Sequence, residues 1–130
     1  PMWLEAIAER VEAAPQLVLR EMPDRLLQVD WAPLVEWLLA TPTLPAPIRA
    51  GAVHVALARA IVAVAERLRY EHGCSAVGLT GCVFQNRLLS EWAGAGLVNK
   101  GFTVVMPVQI PTNDGGLSYG QVADFAGQNT

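Results

Sequence analysis

Two short stretches hold the residues whose types and spacing suit chemistry. The first, Ala76-Val77-Gly78-Leu79-Thr80-Gly81-Cys82-Val83-Phe84-Gln85-Asn86, is an apolar run that breaks at Gly81 and feeds the helical pattern RLLSEW. Val77 and Leu79 alternate with Gly78 and Thr80 as in a buried strand, and Gly81 permits a turn that a Cβ would resist. Asn86 suits the N-cap of the helix that follows. A strand, a glycine turn and a helix N-terminus in that order leave backbone N–H groups and the positive end of a helix dipole where an anion or a ribose can approach. The second stretch, Pro111-Thr112-Asn113-Asp114-Gly115-Gly116-Leu117-Ser118-Tyr119-Gly120-Gln121, is another loop that opens a helix. Asn113 and Asp114 are both good caps, and the paired glycines Gly115 and Gly116 let the backbone come close to a ligand. The Asp114 carboxylate is also a hard oxygen donor, able to bind a divalent cation beside a phosphate.

The elements that must position these loops follow from periodicity. Met2 to Ala14 reads as a helix with Leu4, Ile7, Ala8 and Val11 on one face, stopped by Pro15. Residues 16–20 and 25–29 have strand character and pair as a hairpin across Met22-Pro23-Asp24. Asp30 is the expected N-cap of a helix over 31–40 whose buried stripe is Leu34, Trp37 and Leu38. Thr41 to Pro47 is a proline-rich loop. A long alanine-rich helix over 48–70 carries Val53, Leu57, Ala60, Ile61, Val64 and Leu68 at helical intervals, and Gly73 ends it. Strand 75–80, helix 86–99, strand 102–106 and a helix from Gly116 to about Ala126 complete the chain. This order predicts an α/β fold with a parallel strand pair joined by a right-handed crossover.

The 130 residues amount to about one domain, 52% hydrophobic against 16% charged, which suits a well-buried α/β protein or a fragment whose apolar faces expect a neighbour. A chain that opens on Pro1 favours the fragment. The net charge of -3 leaves no electrostatic footprint for nucleic acid. The longest apolar run, Ala60 to Ala65, is far shorter than a bilayer requires, and the expected location is the cytoplasm. Cys74 and Cys82 lack CxxC spacing and read as reduced, half-buried thiols. Ser75, Ser90 and Ser118 lack a GxSxG setting. His54 reads as a hydrogen-bonded core residue, His72 as a surface residue near a helix C-terminus, and Trp3, Trp31, Trp37 and Trp92 as packing anchors. Glu66, Arg67, Arg69 and Glu71 read as a solvated helix face.

TGCVFQNRLL followed by PTNDGGLSYGQ resembles the SGGVFQNRLL and P-NDGGLALGQ signatures of the HypF carbamoyltransferases, which begin synthesis of the cyanide ligands of nickel–iron hydrogenases. PMWLEAIA, LLQVDWAPLVEWLL and the helix around His54 also look like the C-terminal part of that family, so the resemblance covers nearly the whole chain. It implies that residues 1–130 are a single domain or fragment, the C-terminal lobe of the carbamoyltransferase domain, part of an actin, sugar-kinase and heat-shock ATPase-like lobe with a ribonuclease H-like α/β fold. It further implies transfer of a carbamoyl group from carbamoyl adenylate, made by a YrdC-like domain, to the C-terminal cysteine of HypE. Carried over residue by residue, the resemblance makes Asp114 the catalytic metal ligand, for iron or zinc. Gly81, Cys82, Asn86, Asn113, Gly115 and Gly116 fall on the nucleotide side. Cys82 stands where the family motif has its second glycine, which puts close backbone approach to the nucleotide in question. The family's histidine pair on an HxxxH helix is not in this chain and is expected upstream. The chain alone is therefore expected to be metal-free and incapable of turnover, with Asp114 turned back to cap its own helix. Two other readings stand beside this one. A different carbamoyl or threonylcarbamoyl transferase of the same superfamily is disfavoured by FQN and by the double glycine after Asp114. A non-catalytic, partner-binding lobe is favoured by Cys82 and the missing histidines.

Overall fold

A computed structural model describes residues 2–24 and 26–128. The elements run α1 (Met2–Ile7), β1 (Val18–Glu21), β2 (Leu27–Asp30), α2 (Ala32–Ala40), α3 (Ala46–His72), β3 (Ala76–Gly78), α4 (Arg87–Asn99), β4 (Thr103–Val105) and α5 (Leu117–Gln128). One-turn 3₁₀ segments at Cys82–Gln85 and Asp114–Gly116 precede α4 and α5.

The long helix α3 is set by its ends and by its alanines. Pro47 sits in the first turn, where a missing N–H costs nothing, and Gly73 closes the helix in the left-handed region at φ 72°, its N–H donating to the Arg69 carbonyl at 2.8 Å. Ala50, Ala52, Ala56, Ala58, Ala60 and Ala65 are buried along it, so neighbouring elements approach its backbone closely. Against one side pack Leu79, Leu89, Ala93, Leu97 and Phe102, with Ala58 and Ala65. Gly96 of α4 meets α3 so tightly that a Cβ there would lie 2.8 Å from Val62 Cγ2. The other side holds a second cluster of Leu17, Leu34, Ala56 and Ala60 under the hairpin and α2. Ala60 to Ala65 thus lies within a helix that, as a whole, is long and apolar enough to cross a membrane. Its small residues instead form the core of this fold.

β1 and β2 form the expected hairpin, antiparallel with Val18 opposite Asp30 and Glu21 opposite Leu27. The expected second strand begins at Arg25, which lies outside the described residues. Asp24 Oδ1 accepts from the Leu26 N–H at 3.2 Å and shapes the turn. Asp30 serves α2 as an Asx turn rather than as the N-cap: its Oδ1 accepts from the Ala32 N–H at 3.0 Å, and Trp31 occupies the cap position. β3 and β4 are parallel, with Ala76 opposite Thr103 and Gly78 opposite Val105, and α4 makes the crossover. The ladder covers three residues of each strand, less than the apolar runs suggested.

The N-terminal helix ends at Ile7, not at Ala14. Tertiary contact overrides its periodicity. The Glu9 N–H donates to the Pro47 carbonyl at 3.1 Å, and the chain there lies directly on Gly51, where a Cβ would fall 1.7 Å from the Glu9 carbonyl oxygen. The charged residues late in α3 do more than face water. Arg67 pairs with Glu71 and reaches Glu21 of β1, Lys100 bonds Glu66 at 2.9 Å, and the Arg69 guanidinium lies 4.1 Å from the centre of the Phe102 ring. Cys74 and Cys82 are exposed rather than half-buried. α5 buries none of its residues, and Leu117, Val122 and Phe125 are all about two-thirds exposed.

Candidate functional site

β3 and β4 run side by side and stop at Gly78 and Val105. Ligands of parallel sheets bind in the crevice outside the carboxyl ends of the strands, and both motif loops leave from those ends. Gly81 adopts φ 105°, a conformation open to glycine and resisted by side chains, and so reverses the chain after Leu79 and Thr80. Its N–H donates to the Thr112 carbonyl at 2.6 Å, which joins the first loop to the second. The 3₁₀ turn after it is closed by Phe84 N–H to the Gly81 carbonyl and Asn86 N–H to the Val83 carbonyl, both at 3.1 Å, and by Ser90 Oγ donating to the Phe84 carbonyl at 2.7 Å.

In the second loop the cap is Asn113. Its Oδ1 accepts from the Gly115 N–H at 3.0 Å, and its carbonyl accepts from the Gly116 N–H at 2.9 Å. The expectation that Asp114 turns back to cap is therefore corrected: Asn113 takes that role, leaving the Asp114 carboxylate exposed with no hydrogen bond or ion pair among the described residues. The glycines also serve the loop itself. A Cβ on Gly116 would lie 2.7 Å from the Pro111 carbonyl oxygen, so the missing side chain lets the loop fold on its own backbone.

Between the two loops lies a cavity of about 540 Å³. Of the residues singled out from sequence, Gly81, Asn113, Asp114 and Gly116 line it, together with Thr80, Thr112, Gln121 and Asp124. Cys82, Asn86 and Gly115 are not in its wall. A second cavity of about 530 Å³ adjoins it past Thr80, Pro107 and Ile110. Gln121 and Asp124 were not picked out as site residues, although their spacing offered the signal. Leu117, Gly120, Gln121 and Asp124 fall at i, i+3, i+4 and i+7, one face of α5, and that face lines the cavity.

Two groups expected to await a ligand are engaged within the protein. Asn86 Oδ1 accepts from the Leu89 N–H at 2.9 Å, as a cap should, but its Nδ2 donates to His54 Nε2 at 2.8 Å, so both ends of the amide are engaged within the fold. The positive end of α4 already holds a carboxylate: Glu5 Oε1, from α1, accepts from the Arg87 N–H at 2.8 Å. The anion expected at that helix end is the chain's own.

Electrostatically, the cavity wall carries Asp114 and Asp124 and no lysine, arginine or histidine. A phosphate entering there would be favoured by a cation that offsets those carboxylates. The donors present do not fit a metal by themselves. Among the described residues no three of His, Cys, Asp and Glu converge, His54 is buried and fully bonded, and His72 is exposed beside Glu71.

These features define an α/β lobe in which two helix-opening loops, hydrogen-bonded to one another, close on a crevice at the ends of parallel strands. The family model for the carbamoyltransferase Kae1-like domain, second subdomain, matches residues 1–121. The chain is 41% identical over 93 residues to carbamoyltransferase HypF of Rhodobacter capsulatus, covering 72% of this chain and 12% of that protein. It is 38% identical over 81 residues to a HypF homolog of Cupriavidus necator, covering 62% of this chain and 21% of that one. Full-length HypF crystallised in a phosphate- and nucleotide-bound form superposes with a TM-score of 0.86 at 26% identity, over 92% of this chain and 16% of that structure. HypF of T. kodakarensis gives a TM-score of 0.73 at 26% identity, over 93% of this chain and 16% of that structure. The chain belongs to the HypF carbamoyltransferase family, as the second subdomain of its Kae1-like domain, and spans about a fifth or less of the length of these relatives.

Proposed function

We propose that this chain is the nucleotide-side part of a lobe that transfers a carbamoyl group from carbamoyl adenylate to the C-terminal cysteine of HypE, in the pathway to the cyanide ligands of nickel–iron hydrogenase. The observation that carries this reading is the Gly81 N–H to Thr112 carbonyl bond, which brings the two family motifs to one crevice. The nucleotide-bound relative supports it. In the reaction, the cysteine thiolate attacks the carbamoyl carbon, the bond from that carbon to the phosphate oxygen breaks, AMP leaves with the electron pair, and a thiocarbamate remains on sulfur. The thiol proton goes to solvent. On this reading Thr80 and Gly81 wall the nucleotide, Asn113 holds the loop in shape, and Asp114 presents its carboxylate toward the phosphate side. Asp114 would supply one ligand to iron or zinc, the others coming from the histidine-bearing part that the resemblance places upstream beside a YrdC-like domain. Free exposed Cys74 and Cys82 suit the reducing cytoplasm.

The test uses a protein of the relatives' length that carries this chain. Asp114→Ala should abolish transfer to the HypE thiolate while carbamoyl adenylate formation stays measurable. Loss of both half-reactions alike contradicts the role given to Asp114. Loss of neither favours a partner-binding lobe without chemistry, the reading to which the exposed apolar residues of α5 lend support.

A further inference from the structure

We infer that His54 is a positioning residue for the Gly81 wall of the crevice, acting through Asn86. His54 lies on α3 among buried alanines and is 3% exposed. An imidazole buried there is unfavourable unless both nitrogens are paired, and both are. Nδ1 lies 2.8 Å from the Ala50 carbonyl oxygen, which only accepts, so Nδ1 carries the hydrogen. Nε2 of the neutral ring is then an acceptor, and Asn86 Nδ2 meets it at 2.8 Å. The orientation of the Asn86 amide is fixed independently, because its Oδ1 must face the Leu89 N–H. The His54 tautomer and the Asn86 amide orientation are thus both fixed by their partners.

This pairing lies at the head of a connected path. Asn86 N–H bonds the Val83 carbonyl, Phe84 N–H bonds the Gly81 carbonyl, and Gly81 N–H bonds Thr112 in the Asp114 loop. Trp92 of α4 adds a second hold, its ring edge-on to the imidazole with centroids 6.1 Å apart. His54 does not line the cavity, so it touches no ligand there. It adds a hydrogen-bonded anchor to the middle of α3 beside the turn's bonds to α4 and to Thr112. The consequence for ligand binding rests on the proposed function above; the coupling itself does not.

The test is amide hydrogen exchange on a protein of the relatives' length that carries this chain, with titration of a nonhydrolysable carbamoyl adenylate analogue. In His54→Leu, which removes the acceptor, exchange at Leu89 and Gly81 should speed up about tenfold, the factor matching loss of one buried hydrogen bond. Gly73, bonded to Arg69, and Phe102, bonded to Leu97, should keep wild-type rates. His54→Gln, whose Oε1 can accept from Asn86, should restore most of the protection. Should the leucine variant not fold, Asn86→Ser keeps an oxygen for Leu89 but cannot reach His54, and Gly81 alone should then exchange faster. Analogue affinity should follow Gly81 protection, falling in His54→Leu or Asn86→Ser and recovering in His54→Gln. Unchanged exchange at Gly81, uniform acceleration that includes Gly73 and Phe102, or affinity that ignores Gly81 protection overturns the inference. An analogue that fails to bind the wild-type chain counts against the nucleotide reading instead, and the exchange pattern then decides the positioning role by itself.

Discussion

Gly51→Ala is expected to destabilise the chain although alanine is the better helix former. In a helix interior the change alone would gain about 1 kcal/mol. Here the new Cβ would sit 1.7 Å from the Glu9 carbonyl oxygen and 2.9 Å from its carbon, both backbone atoms that no side-chain rotation can remove. To reach ordinary contact the Glu9 peptide must retreat by more than an ångström, which strains or breaks the adjoining Glu9–Pro47 hydrogen bond of 3.1 Å. Overpacking strain of about 1–3 kcal/mol and a hydrogen bond worth about 1 kcal/mol outweigh the helical gain, leaving a net loss of about 2 kcal/mol. For a chain of this length that corresponds to a fall in Tm of roughly 6–10 °C. Equilibrium urea unfolding and thermal melts measure it. Gly94→Ala in α4 is the matched control: a Cβ there meets nothing within 4 Å, so about 0.5–1 kcal/mol of stabilisation is expected. If Gly51→Ala is as stable as the wild type or more so, the seating of the Glu9 segment on α3 is wrong, and with it the reason given for α1 ending at Ile7.

Ile61 is half-buried beside Leu57, Val77 and Phe84, so Ile61→Ala should cost about 1–2 kcal/mol in urea unfolding, and a loss under about 0.5 kcal/mol would place that face in water. Asp114→Ala should change stability by less than about 0.5 kcal/mol, since the carboxylate is exposed and bonds nothing among the described residues; a larger loss would show that it caps the loop after all. Cys82→Gly, which restores the family glycine beside Gly81, should leave the melt nearly unchanged and raise affinity for adenine nucleotides in calorimetric titration, whereas unchanged or weaker binding would remove Cys82 from any account of nucleotide access.

Local signals carried most of the fold. Gly73 as a left-handed cap, the hairpin turn at Met22-Pro23-Asp24, the Asn86 cap and the long alanine helix each depend on neighbours within a few residues, and each was legible in the sequence. What was not legible comes from contacts distant in the chain. Nothing near Glu9 announces that Gly51 will receive its carbonyl, and nothing near Arg87 announces that Glu5 will fill the end of α4. The same holds for His54, whose burial was foreseen but whose partner Asn86 was not. At the crevice, the sequence offered Asn113 and Asp114 alike as caps, and the expectation that Asp114 would turn back to cap fell because only the loop's backbone path decides between the two.

The place of α3 in the architecture has a consequence for how the chain acquires its structure as it is synthesised. The cluster of Leu17, Leu34, Ala56 and Ala60 closes once the first half of the helix exists, from residues that emerge early. The cluster on its other side cannot close before Leu97 and Phe102 have been made, because the parallel strands meet only after α4 has carried the chain back across. A helix forms in microseconds or less, whereas residues are added at roughly 5–20 per second, so α3 stands with one flank covered and the other bare for seconds at a time. The Ala58–Ile61–Val62 side of α3 therefore stays uncovered until Leu97 and Phe102 have been made, and the crevice between Gly81 and Asp114 takes shape only after that.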